Sequence, residues 1–118
     1  MAKGDRVRIT SGTIYEDNEN ALVFVYDVRL DQEGRPVVAH DGTVSIHSLG
    51  GVKNNSTGVI CGFPEKIHRS QLKTINSEGV SFNQNEFVQV IPVMLDVYQK
   101  MGWFPIDHIR VVSGGVAQ

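Results

Sequence analysis

Apolar and polar residues alternate in short runs along this chain, and Gly, Asp, Asn and Pro punctuate the runs. Lys3-Gly4-Asp5-Arg6-Val7-Arg8-Ile9 sets a Gly-Asp turn before an Arg-Val-Arg-Ile alternation, which predicts a half-buried strand. Residues 21–30 form a longer β-rich run. Leu22, Phe24, Tyr26 and Val28 share one face, while Val23, Val25, Asp27 and Arg29 share the other. Both faces are apolar in the first half, so burial on two sides is expected there. Residues 31–36 read as a turn, and Pro36-Val37-Val38-Ala39 resumes extension, a hairpin with a loop of about five residues. Asp41-Gly42 signals a second turn before the strand 43–47; Leu49-Gly50-Gly51 is expected to break that strand, and 53–57 to be polar loop. Gly58-Val59-Ile60-Cys61-Gly62 is a short apolar strand between glycines, where a close backbone approach or a bend is expected. Residues 67–75 fit either a strand or one helical turn after Ser70. Phe87–Ile91 is a strand that resumes at 93–96, and Pro92 within it points to an edge position or a bulge. No window carries helical apolar spacing over three turns, so the pattern of seven or eight short strands is all-β.

Gly102-Trp103-Phe104-Pro105-Ile106-Asp107-His108-Ile109, followed by Arg110-Val111-Val112, reads as a tight turn, one short helical turn and a final strand. This segment resembles the SH3 consensus Gly-x-Phe-Pro-x-Asn-Tyr-Val, with Asp107 for Asn and His108 for Tyr. Residues 3–9 are similar to the first strand of bacterial SH3-like barrels, 57–60 to the second core strand and 87–96 to the third. The resemblance implies a small SH3-like barrel over 1–112, with about 13–56 as an inserted β-hairpin region and 113–118 as a flexible Gly-rich tail. Peptide-binding SH3 domains carry two adjacent tryptophans. This chain has Trp103 alone, so the resemblance does not extend to proline-motif recognition.

Length, charge and cysteine content narrow the picture. At 118 residues the chain suits one domain. A net charge of −2 and a pI near 6.0 lack the basic excess of a dedicated nucleic-acid binder. Cys61 is the single cysteine, which excludes an internal disulfide and a Cys-rich zinc site. There is no apolar run of membrane-spanning length and no apolar stretch behind Met1, so the expectation is a cytoplasmic protein or a virion component that does not engage a membrane. His40, His47, His68 and His108 have no metal-ligand spacing, and nucleophile, Walker and dinucleotide motifs are missing. The expectation is therefore a non-enzymatic chain with no cofactor and no metal.

Three groups are candidates for binding. Trp103, Tyr98 and His108 lie close in sequence near the end of the chain and would form a protein-binding surface. Glu16, Asp17 and Glu19 belong to a stretch of seven carboxylates against Arg29 and Arg35, a second surface for a basic partner. Lys66, Arg69 and Lys73 form the basic alternative, which could track a nucleic-acid backbone; Phe63 is the one aromatic near them in sequence. The opposite charges of the acidic and basic stretches also allow head-to-tail contact between copies. The reading that results is a protein-interaction or assembly module, a small accessory subunit of a bacterial complex or a viral particle. A nucleic-acid-binding module is the alternative.

Overall fold

The computed structural model describes residues 1–10, 22–72 and 86–113. They form an all-β chain: β1 (Arg6–Ile9), β2 (Leu22–Val28), β3 (Ile46–Lys53), β4 (Ser56–Ile60), β5 (Glu65–His68), β6 (Phe87–Leu95), β7 (Met101–Pro105) and β8 (Ile109–Ser113). Two 3-10 turns, Arg69–Gln71 and Ile106–His108, are the helical elements among the described residues. None is long and apolar enough to cross a membrane. The strands make one antiparallel sheet in the order β3-β2-β7-β6-β4-β1-β8, with β5 added to β6. Among the described residues the sheet is not closed, and β3 and β8 are its ends, so the closed barrel expected from the last strands is not what these ladders form.

The alternation of side chains along the central strands produces two apolar clusters on opposite faces. On one face lie Val23 and Val25 of β2, Ile91, Val93 and Leu95 of β6, and Phe104 of β7, joined by Val7, Ile9, Val52, Ile60 and Ile109. On the other lie Tyr26 and Val28 of β2 and Val88 and Val90 of β6, joined by Val44, Ile46 and Ile67, with Phe24 and Trp103 packed against them. The two-sided burial expected for the first half of the 22–28 run falls instead on its middle and end, where Val25, Tyr26 and Val28 are buried, while Leu22 is exposed and Phe24 half-buried. The sheet rolls around the first cluster. β3 and β4 stand apart in strand order, yet only Asn54 and Asn55 connect them, with Asn55 at φ 69°.

The turn chemistry acts as expected in the arm between β2 and β3. A Leu30–Pro36 bridge encloses residues 31–35, and a Val38–Val44 bridge encloses the Asp41-Gly42 turn. Asp31 Oδ1 accepts the N–H groups of Glu33 and Arg35, which builds the first of these turns from a side chain. β2 and β3 are integral to the sheet, so the chain before 56 contributes its strands to the core as well as a projecting arm.

Three local expectations are corrected. Gly50-Gly51 does not end β3. The register shifts between Val25 and Tyr26, Gly50 sits at φ 119°, and the strand runs on to Lys53 past a bulge. Pro92 is not at an edge but in the middle of β6, opposite Trp103 of β7. Its carbonyl accepts the Cys61 N–H at 3.0 Å, so its nitrogen faces the same side. On that side β4 has just ended and β5 has yet to begin, and no ladder donor is required. Gly102 lies within β7, not in a turn; a Cβ there would meet Val25 Cγ1 at 2.4 Å. The tight turn precedes it, at 96–100, and the expected helical turn and final strand follow it.

Candidate functional site

Trp103, Tyr98 and His108 are not brought together. Trp103 sits on β7 between Tyr26 of β2 and Pro92 of β6, half-buried against the second cluster. Tyr98 lies in the β6–β7 turn at one end of β7, and His108 lies in the 3-10 turn beyond the other end. The His108 ring is committed to local structure. Its Nδ1 is 2.8 Å from the Thr10 carbonyl, which can only accept, so Nδ1 carries the proton. The Thr10 N–H donates back to the His108 carbonyl, and the pair pins the turn to the end of β1.

What gathers around Tyr98 is a different apolar set. Met94 and Met101 face each other across β6 and β7, both exposed, and the turn beyond them carries Val97 at 86% exposure. Phe104 and Pro105, which follow Trp103 in sequence, are buried and take no part in this set. Isolated exposed apolar residues are ordinary, but four at one hairpin tip form a patch. Met94 and Val97 were missed from the sequence because their company depends on the pairing of β6 with β7.

Of the acidic candidates, Glu16, Asp17 and Glu19 lie outside the described residues. Of the carboxylates in the same stretch that can be placed, Asp31 and Asp41 hold turns. Asp41 accepts the Thr43 N–H at 3.0 Å and the Thr43 hydroxyl at 2.6 Å, and its Oδ2 meets His68 Nε2 at 2.6 Å. These donors stabilise the ionised carboxylate. Led by the Thr43 hydroxyl, they hold the Asp41 pKa down from 3.8 to about 2. A carboxylate only accepts, so His68 Nε2 carries a proton here, and the bond clasps the arm onto β5. Among the described residues no group of three His, Cys, Asp or Glu is placed to hold a metal ion.

The basic candidates diverge. Lys73 lies outside the described residues. Arg69 is countered by Glu86 at 3.1 Å and Asp107 at 3.9 Å, which reduces its availability to a phosphate backbone. Lys66 Nζ rests 4.6 Å from the Phe87 ring centre, and the same ring packs 5.0 Å from that of His68. The aromatic beside the cations is therefore Phe87, brought there by the β5–β6 register; Phe63 is 80% exposed. Asp41, Glu86 and Asp107 leave this surface of mixed sign.

One further carboxylate and the single thiol are displaced from their ordinary values. The Thr57 hydroxyl, with help from Arg6, lowers the Asp96 pKa, while burial raises that of Cys61. The chain matches no protein-family model, no curated protein and no solved structure.

Proposed function

We propose that this chain is a non-catalytic protein-interaction and assembly module, a small accessory subunit of a larger bacterial complex or viral particle, placed in the cytoplasm or the virion. The observation that carries this reading is the hairpin tip of Met94, Val97, Tyr98 and Met101, apolar and exposed at the end of two central strands. Burying such a patch stabilises association by roughly 25 cal/mol per Å² of apolar surface, and the rigid β6–β7 ladder reduces the ordering cost of presenting it. The chemistry-bearing side chains support the same view. His68, His108, Asp31 and Asp41 are engaged in holding turns and the arm in place. An SH3-like kinship of the rolled sheet is part of the proposal. It is supported by the 3-10 turn at 106–108 between the last two strands.

The test is capture of partners from the native host by immobilised wild-type chain and by a Val97→Asp, Tyr98→Ser double variant, with mass spectrometry and sedimentation of the free proteins. A partner, or a self-associated state, that is lost in the variant is expected. Identical capture and sedimentation by the two forms would overturn the reading.

A further inference from the structure

The face of β2 that carries Val23 and Val25 into the first cluster continues along the chain as Asp27 and Arg29. The β2–β3 register sets His47 opposite Asp27, so His47 stands on that face as well. Just beyond β2 three backbones meet. The Arg29 N–H donates to the Ser45 carbonyl, the Ser45 N–H to the Val37 carbonyl and the Val37 N–H to the Arg29 carbonyl. This ring of bonds fixes the root of the arm. A shallow depression of about 470 Å³ opens there, lined by Arg29, Leu30, Val37 and His47.

The lining joins two kinds of surface. Leu30 and Val37 are apolar and exposed. The Arg29 guanidinium makes no ion pair among the described residues. His47 Nδ1 is shut off from solvent and has no hydrogen-bond partner among them. A buried N–H left unpaired is the rarer defect, so the proton of the neutral ring sits on Nε2. That nitrogen has no partner among the described residues and reaches solvent. The carboxylates nearby are engaged elsewhere. Asp27 Oδ1 accepts the Val28 N–H, and Asp27 forms no ion pair with Arg29 or His47. Asp31 holds its own turn, and Glu33 is paired with Arg35.

We propose that this depression binds an aliphatic monocarboxylate, its carboxylate on Arg29 and His47 Nε2 and its hydrocarbon body on Leu30 and Val37. Arg29 supplies a fork of donors matched to a carboxylate, and Nε2–H adds a single donor beside it. A cationic ligand would meet Arg29 as a like charge, and a small inorganic anion would leave the apolar wall in water. The bonded ring of Arg29, Val37 and Ser45 holds the walls in place before a ligand arrives, which lowers the ordering cost of binding. The bearer of this chemistry is a free short-chain acid or the chain end of a protein whose last residue is apolar. None of the four residues belongs to the hairpin tip, so the site goes beyond the interaction reading and does not depend on it.

The probe is isovalerate, titrated into the full chain and followed by backbone and side-chain NMR. Isopentylamine keeps the hydrocarbon body and reverses the charge, and acetate keeps the carboxylate without the body. A blocked tripeptide ending in leucine, as free acid and as amide, represents a chain end. Isovalerate and the free-acid peptide are expected to shift Arg29, Leu30, Val37 and His47, and acetate, the amine and the amide to bind more weakly. Arg29→Gln is expected to weaken acid binding by about threefold. His47→Phe keeps a ring, removes the donor and is expected to weaken it by a similar factor. Arg29 is exposed, so its variant is expected to fold, as checked by circular dichroism, and it decides the matter if His47→Phe does not. Tighter binding of the peptide names chain ends as the source, and tighter binding of isovalerate names free acids; either upholds the site. Absence of shifts at these residues at millimolar acid, equal binding of the amine or the amide, or indifference to Arg29→Gln would overturn the proposal.

Discussion

The carboxylate of Asp41 gathers the Thr43 hydroxyl, the Thr43 N–H and the His68 ring, and its effect on stability has a definite sign. A folded pKa of about 2 against an ordinary 3.8 means that the stabilisation is fully present above the ordinary value. It fades as pH falls through the interval between the two. The thermal midpoint of wild type is therefore expected to exceed that of Asp41→Asn at neutral pH, and the gap to shrink on acidification from about pH 5 to about pH 2. A gap that stays constant across that window would contradict the assignment. Half of this feature was legible: Asp41-Gly42 announced its turn by residue type. His68 as the partner was not, because nothing local ties residue 41 to β5.

At the scale of single strands, glycine and proline mark where backbones meet. The Gly58–Gly62 run was expected to bring main chains close, and it does. A Cβ on Gly58 would stand 2.5 Å from the Met94 carbonyl oxygen and 2.6 Å from Val93 Cγ1. The oxygen belongs to the backbone of a central strand and cannot step aside as a side chain would. Gly58→Ala is expected to lower stability by about 1–3 kcal/mol, read as a lower urea midpoint. An unchanged midpoint would show that β4 and β6 can separate at no cost. Pro92 taught the opposite lesson. A residue without an N–H reads as an edge signal, yet a central strand tolerates it where neighbouring strands change over. The 53–57 stretch misled for a similar reason: its polarity reflects a two-residue corner at Asn54–Asn55, and β4 has already begun at Ser56.

Across the whole molecule, β2, β6 and β7 contribute to both apolar clusters, so neither cluster is expected to unfold alone. Phe104 is fully buried in the first cluster, and Trp103, its neighbour on β7, reports on the second. Phe104→Ala is expected to cost about 3–5 kcal/mol. It should move the Trp103 fluorescence midpoint and the far-ultraviolet circular dichroism midpoint together. Two separated transitions would show that the faces are independent. The hairpin tip and the depression at the root of the arm are distinct surfaces, and each was assembled by strand pairing instead of by neighbours in sequence alone.

The chain by itself determined the all-β character, the position of most strands, the five-residue loop at 31–35 and the tight turn at Asp41-Gly42, since side-chain period and turn chemistry act over a few residues. Only the tertiary structure decided that Phe87 lies beside Lys66, that Met94 faces Met101 and that Arg8 faces Arg110, its partner from nearly the other end of the chain. A slip of one residue in any of those ladders would turn the same side chains to the opposite face. The buried clusters on both faces of the central strands forbid that slip, and they form only when the whole sheet does.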